Sequence, residues 1–213
     1  MIVFRALGAL LSYPREEVWQ ALPEIAEAIR MSKLIAVQQR ADLLKLIEEL
    51  RAVDLLHAEE RYVELFDRGR AASLHLFEHL HGEGRDRGQA MVDLKRLYDR
   101  AGYELAGREL PDYLPVVLEY LSCRDLRETR ELLGDCAHIL RRIGQSLIAR
   151  GSGYAAVLQA LLVIAGEEPI DVASVPCVTE RIENLDHDWL EQPAFGDPFT
   201  PASTGETSSP QGR

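Results

Sequence analysis

Apolar residues recur along most of this chain at steps of three and four, the spacing that gathers them on one face of an α-helix. Leu43, Leu44, Ile47 and Leu50 stand at i, i+1, i+4 and i+7, with Lys45, Glu48 and Glu49 between them. Leu133, Cys136, Leu140, Ile143 and Leu147 alternate the two steps, while Asp135, Arg141 and Arg142 face away. That stripe predicts one long amphipathic helix from about Leu126 to Arg150, ended by Gly151-Ser152-Gly153. Tyr154 to Ala165 is apolar except at Gln159 and predicts a helix buried on most sides, with Gly166 at its end. No run shows the period-two alternation of β-branched residues that a strand needs. The pattern predicts an all-α single-domain bundle of about eight helices.

Composition agrees with a folded core: 213 residues, 46% of them hydrophobic and 28% charged. The net charge of −11 argues against a nucleic-acid binder, which needs a basic face. The charge is unevenly spread. Residues 1–166 carry 25 acidic and 22 basic side chains, whereas 167–197 carry nine acidic ones and only Arg181 as a base. We therefore expect a helical domain over 1–166, an acidic arm over 167–196 packing on or near the body, and a tail over 197–213. Within the arm, Val172 to Val178 is expected to be extended and Trp189 to dock it. Pro, Gly, Ser and Thr supply eleven of the last seventeen residues, so the tail is expected to be disordered. The apolar N-terminus lacks a small-residue cleavage pattern, and no later apolar run is long enough to span a bilayer. Cys123, Cys136 and Cys177 form no CxxC pair, so a reducing cytoplasm is expected.

Candidate chemistry is sparse. His75-Leu-Phe-Glu-His79 matches the HxxEH pattern of inverted zinc peptidases, and two histidines at i and i+4 would share a helical face. A zinc-dependent hydrolase using His75 and His79 is thus the alternative reading, set against ordinary helix histidines. The glycines of His81 to Gly88 are misplaced for a nucleotide loop and suit a helix break, with Asp86 capping the next helix. Glu109 and Asp112 flank Pro111 at a helix start, where capping explains them first. Tyr62, Leu65 and Phe66 fall at i, i+3 and i+4, so they share a face that is either core or the wall of a groove. Glu64, Glu78, Asp112 and Glu119 could form an acidic rim for a basic peptide.

Two stretches are distinctive: Tyr62 to Leu94 (YVELFDRGRAASLHLFEHLHGEGRDRGQAMVDL) and Glu109 to Ser122 (ELPDYLPVVLEYLS). With Leu10-Leu-Ser-Tyr-Pro14, they strongly resemble the delta-subunit family of respiratory nitrate reductases (NarJ type). That family belongs to the wider redox-enzyme maturation chaperones, which include TorD and DmsD. The resemblance implies an all-helical, non-enzymatic cytoplasmic chaperone, with no cofactor or metal of its own and no stable membrane association. It implies as partner the apo catalytic (alpha) subunit of respiratory nitrate reductase, bound through its N-terminal peptide. The chaperone would hold that subunit competent for molybdenum-cofactor insertion and delay its docking to the membrane. The wider family's aromatic-x-x-Leu-Phe element is matched by Tyr62, Leu65 and Phe66. Its E-P-x-D-H hinge is matched in part by Glu109, Asp112 and Tyr113, with Leu110 in place of proline and Tyr113 where histidine is usual. With Glu78, His79 and Glu119, these are the expected peptide-binding residues.

Overall fold

A computed structural model describes residues 1–80, 85–105, 107 and 109–176. Ten α-helices run through them: α1 (Ile2–Leu11), α2 (Glu16–Gln20), α3 (Leu22–Met31), α4 (Val37–Arg51), α5 (Leu55–Tyr62), α6 (Arg85–Arg100), α7 (Leu114–Ser122), α8 (Leu126–Asp135), α9 (Ala137–Ala149) and α10 (Ala155–Ala165). Among the described residues there is no strand, and one isolated bridge joins His75 to Tyr113. None of these helices is long and apolar enough to cross a membrane.

Helix α10 packs against α4, α8 and α9, which is why its sequence is apolar on nearly every side: Val157, Leu158, Leu161 and Leu162 are all fully buried. Helix α1 lies along α7, and Phe4, Leu7, Leu11, Leu118 and Leu121 are all buried in the same core. Gly8 makes that approach possible, because an added Cβ would sit 3.3 Å from the Pro115 carbonyl oxygen. Asp54 and Asp125 cap α5 and α8 by accepting the His57 and Glu128 N–H groups at 2.8 and 2.9 Å. Gly166 closes α10 in the left-handed region, φ 93°.

The long helix expected over 126–150 is two helices. Cys136 adopts φ −92°, ψ 0°, at the bridge-region edge of the α basin. The apolar stripe hides the break because Leu133 before it and Leu140, Ile143 and Leu147 after it stay buried. Burial pushes the Cys136 thiol up to about 11, so it is an inert, partly buried thiol. Helix α6 begins at Arg85, so Asp86 lies inside it and does not precede it; its side chain falls outside the described residues.

After α10 the chain turns back over its own body. Ile170 is buried on the α9–α10 seam, and the Gln159 side chain brackets its backbone, accepting its N–H at 2.7 Å and donating to its carbonyl at 3.1 Å. Arg141 donates to the Glu168 carbonyl at 2.9 Å. The one polar residue in the apolar run is therefore the anchor of a strap. Val172–Ser174 forms a 3-10 turn capped by Asp171, where extended chain was expected. Cys177, Trp189, the rest of the acidic arm and the tail lie outside the described residues.

Candidate functional site

The segment after α5 does not continue as an α-helix. Val63–Asp67 is a π-helical turn in which the Arg68 N–H reaches the Val63 carbonyl at 3.1 Å. Arg150 donates to the Leu65 carbonyl at 3.3 Å. The wider turn keeps Tyr62 and Phe66 in ring contact, with centroids 4.7 Å apart, and Tyr154 closes the group edge-on at 5.2 Å from Phe66. Tyr62 is only 3% exposed and Phe66 6%, so both rings are core. Leu65 is half-buried against the same cluster. The Tyr62 hydroxyl donates to the Leu11 carbonyl at 2.8 Å. Its proton is thus committed, and the Tyr113 hydroxyl, 3.0 Å away, donates to it. Burial, with Tyr113 beside it, drives the Tyr62 phenol far above its ordinary range.

A second group ties the segment 73–79 to the one before α7. Asp112 is fully buried, yet its carboxylate is satisfied. One oxygen accepts the Phe77 N–H at 3.1 Å and the other faces His75 Nδ1 at 3.3 Å. Backbone bonds Leu76 N–H to Asp112 carbonyl (3.1 Å) and Leu114 N–H to Leu74 carbonyl (2.9 Å) close the knot. The His75 ring lies over Tyr113, centroids 5.2 Å apart. The hydrogen bond from Asp112 raises the His75 pKa above its ordinary value, although burial opposes it. Burial works to raise Glu78, but the Ser73 hydroxyl (2.6 Å), His75 and Arg87 (3.2 Å) together hold it below the usual carboxylate range.

Between α1 and α7 the surface opens. A hollow of about 390 Å³ is floored by Gly8, Ala9, Ser12, Pro115 and Val116, walled by Tyr13 and Tyr113, and rimmed by Arg5, Arg15, Glu109 and Glu119. Small residues on the outer face of α1 give it its depth. At Tyr13 it adjoins a second hollow of about 420 Å³, lined by Leu56, Glu59, Glu60, Val63, Glu64 and Arg68. At Arg5 and Glu119 it adjoins a third, of about 400 Å³, reaching Ile2 and Cys123. Ile2 and Leu56, at the two ends, are exposed apolar side chains. The first and third lie along α1, and the second continues this furrow beyond the C-terminus of α1 at Tyr13.

Of the eight expected peptide-binding residues, only Tyr113 and Glu119 line this furrow. Tyr62 reaches it through its hydrogen bond to Tyr113, and Phe66 and Leu65 lie behind. Asp112 is the buried centre of the knot, neither a cap of α7 nor a rim carboxylate; α7 has no side-chain cap. Glu78 and His79 belong to the same knot. Sequence reasoning missed Arg5, Ala9, Tyr13 and Arg15. The small residues Gly8, Ala9 and Ser12, clustered on one side of an otherwise bulky apolar helix, were the available signal.

The zinc reading loses its premise. Leu76–Glu78 is a single 3-10 turn with His75 ahead of it, so the two histidines do not share an α-helical face. His75 Nδ1 is engaged by Asp112, and His79 Nε2 donates to the Ser73 carbonyl at 2.8 Å. Among the described residues no group of three or more His, Cys, Asp or Glu side chains is placed to hold a metal ion.

The described residues thus form an all-helical body with a furrow at its surface. A solved structure of the same fold is a putative redox enzyme maturation protein from Archaeoglobus fulgidus, with TM-score 0.55 and 20% identity over 77% of this chain and 92% of that one. Residues 14–158 match the family model for the nitrate reductase delta subunit. The chain is 46% identical over 165 residues to the nitrate reductase molybdenum cofactor assembly chaperone NarJ of Escherichia coli K12, covering 78% of this chain and 70% of that one. It is 38% identical over 192 residues to the probable assembly chaperone NarW of the same organism, covering 90% and 78%. The chain belongs to the nitrate reductase delta subunit family, and both of these relatives are named as assembly chaperones.

Proposed function

We propose that this chain is a cytoplasmic assembly chaperone for a respiratory nitrate reductase. It binds the N-terminal peptide of the apo catalytic subunit in the furrow along α1, keeping that subunit competent for molybdenum-cofactor insertion and delaying its docking to the membrane. The observation that carries the reading is the open seam between α1 and α7 in a member of this family. The furrow has an apolar floor, two tyrosine walls and charged rims, the combination that accepts an amphipathic helix. Tyr113 and Glu119 contact the peptide directly. Tyr62, Leu65, Phe66, Glu78, His79 and Asp112 hold the wall on which Tyr113 stands.

Calorimetric titration with a peptide copying the catalytic subunit's N-terminus tests this. Binding should carry a negative heat-capacity change, as apolar surface leaves water. Ala9→Phe, which fills the floor, should abolish binding while the melting temperature stays at the wild-type value. Binding by the intact apo subunit but not by the peptide would move recognition elsewhere on the client. Binding by neither would end the chaperone reading.

A further inference from the structure

The furrow is not symmetric end to end. The hollow beyond Tyr13 holds Glu59, Glu60 and Glu64 against Arg68, with His57 Nδ1 at 3.9 Å from Glu60. The middle hollow balances Arg5 and Arg15 with Glu109 and Glu119, and Arg5 and Glu119 also line the hollow at the Ile2 end. The surplus of negative charge therefore lies at one end, beside the C-terminus of α1. An N-terminal segment bound as a helix is also polar: its free α-amino group and the positive end of its macrodipole lie together at its first turn. Helix α1 is ten residues long, about 15 Å, so roughly three turns of a docked helix cover it.

We infer that the docked segment lies antiparallel to α1, its ammonium end in the acidic hollow of Glu59, Glu60 and Glu64. The inference rests on the docking proposed above and adds its direction and the group read at its start. Leu56, exposed on that hollow's rim, meets the segment's first apolar side chains. Ile2 meets its last. The antiparallel arrangement also sets the dipoles of α1 and the segment head to tail.

Paramagnetic broadening of an isotope-labelled peptide, copied from the catalytic subunit's N-terminus, reads the direction. A nitroxide on Cys123, in a Cys136→Ser, Cys177→Ser background, should broaden the peptide's C-terminal half. A nitroxide on His57→Cys, beside the hollow and outside its lining, with Cys123→Ser added to that background, should broaden its N-terminal residues. The reverse pattern, or equal broadening at both ends, overturns the inference and leaves the docking intact; no binding by the unlabelled protein overturns both. Acetylating the peptide's α-amine removes its charge. It should weaken binding about fivefold at low salt and less at high salt, and the triple variant Glu59→Gln, Glu60→Gln, Glu64→Gln should bind both peptide forms equally. If acetylation changes nothing in the wild type, the ammonium is not read in this hollow.

Discussion

Among the described residues two helix pairs meet on a glycine, and they end differently. At Gly8, α1 lies so close to α7 that a Cβ would come within 3.3 Å of the Pro115 oxygen and 3.4 Å of Leu118 Cβ. The outer side of that seam is the open furrow. At Gly144, α9 lies against α10, and a Cβ would come within 3.3 Å of Leu158 Cβ. There the outer side is filled by Ile170, whose Cδ1 would lie 2.5 Å from the added carbon. The same device, a glycine in an apolar stripe, produces both close approaches. What differs is whether the described residues supply a cover. Gln159 gives the α9–α10 seam two hydrogen bonds with which to hold a strap. The α1–α7 seam instead carries Arg5, Arg15, Glu109 and Glu119, all four exposed.

The largest effect is expected behind the open seam. Phe66→Ala removes a buried ring from the group of Tyr62 and Tyr154 and should cost about 3–5 kcal/mol, read as a lower melting temperature and denaturant midpoint. If the variant melts like wild type, Phe66 is not part of the wall's support. Next comes the closed seam. Ile170→Ala should cost about 2–4 kcal/mol yet leave peptide affinity unchanged, because its seam is already filled. A parallel loss of affinity would couple the two seams and erase the contrast.

Local periodicity made the helices legible, because burial of one face writes itself into three-and-four spacing. It could not show the break at Cys136, since α8 and α9 bury one continuous stripe. The π-helical turn at Val63–Asp67 was equally silent: Tyr62 and Phe66 remain in contact whether the turn is α or π, so the spacing is unchanged. The knot failed for another reason. Asp112 and His75 are 37 residues apart, and a buried carboxylate in such a pair reads locally as a helix cap. Gln159 looked like a flaw in an apolar helix because its partner, Ile170, belongs to a segment whose composition suggested only an acidic arm. Tyr113 could be reached from the hinge motif and Glu119 from the expected acidic rim, whereas the floor on α1 is defined by what small side chains leave empty, for which a periodicity reading has no term.

The smallest expected effect separates the seams by pH. The open seam's wall rests on Tyr113, which stacks on His75, and His75 bonds Asp112. The closed seam is bracketed by the amide of Gln159, which does not titrate. Because the folded protein holds the His75 pKa above the ordinary value of about 6.5, its protonated form favours the folded state. That contribution is complete below the ordinary value and is lost as pH rises through the raised one. The stability difference between wild type and His75→Gln should therefore be larger at about pH 6 than at about pH 8. In the same titration, Gln159→Ala should lower stability by an amount that does not change with pH. Denaturant melts across that range decide it. A pH-independent gap for His75→Gln would mean that the imidazole packs on Tyr113 without drawing on the Asp112 charge, and the open seam would then be no more pH-linked than the closed one.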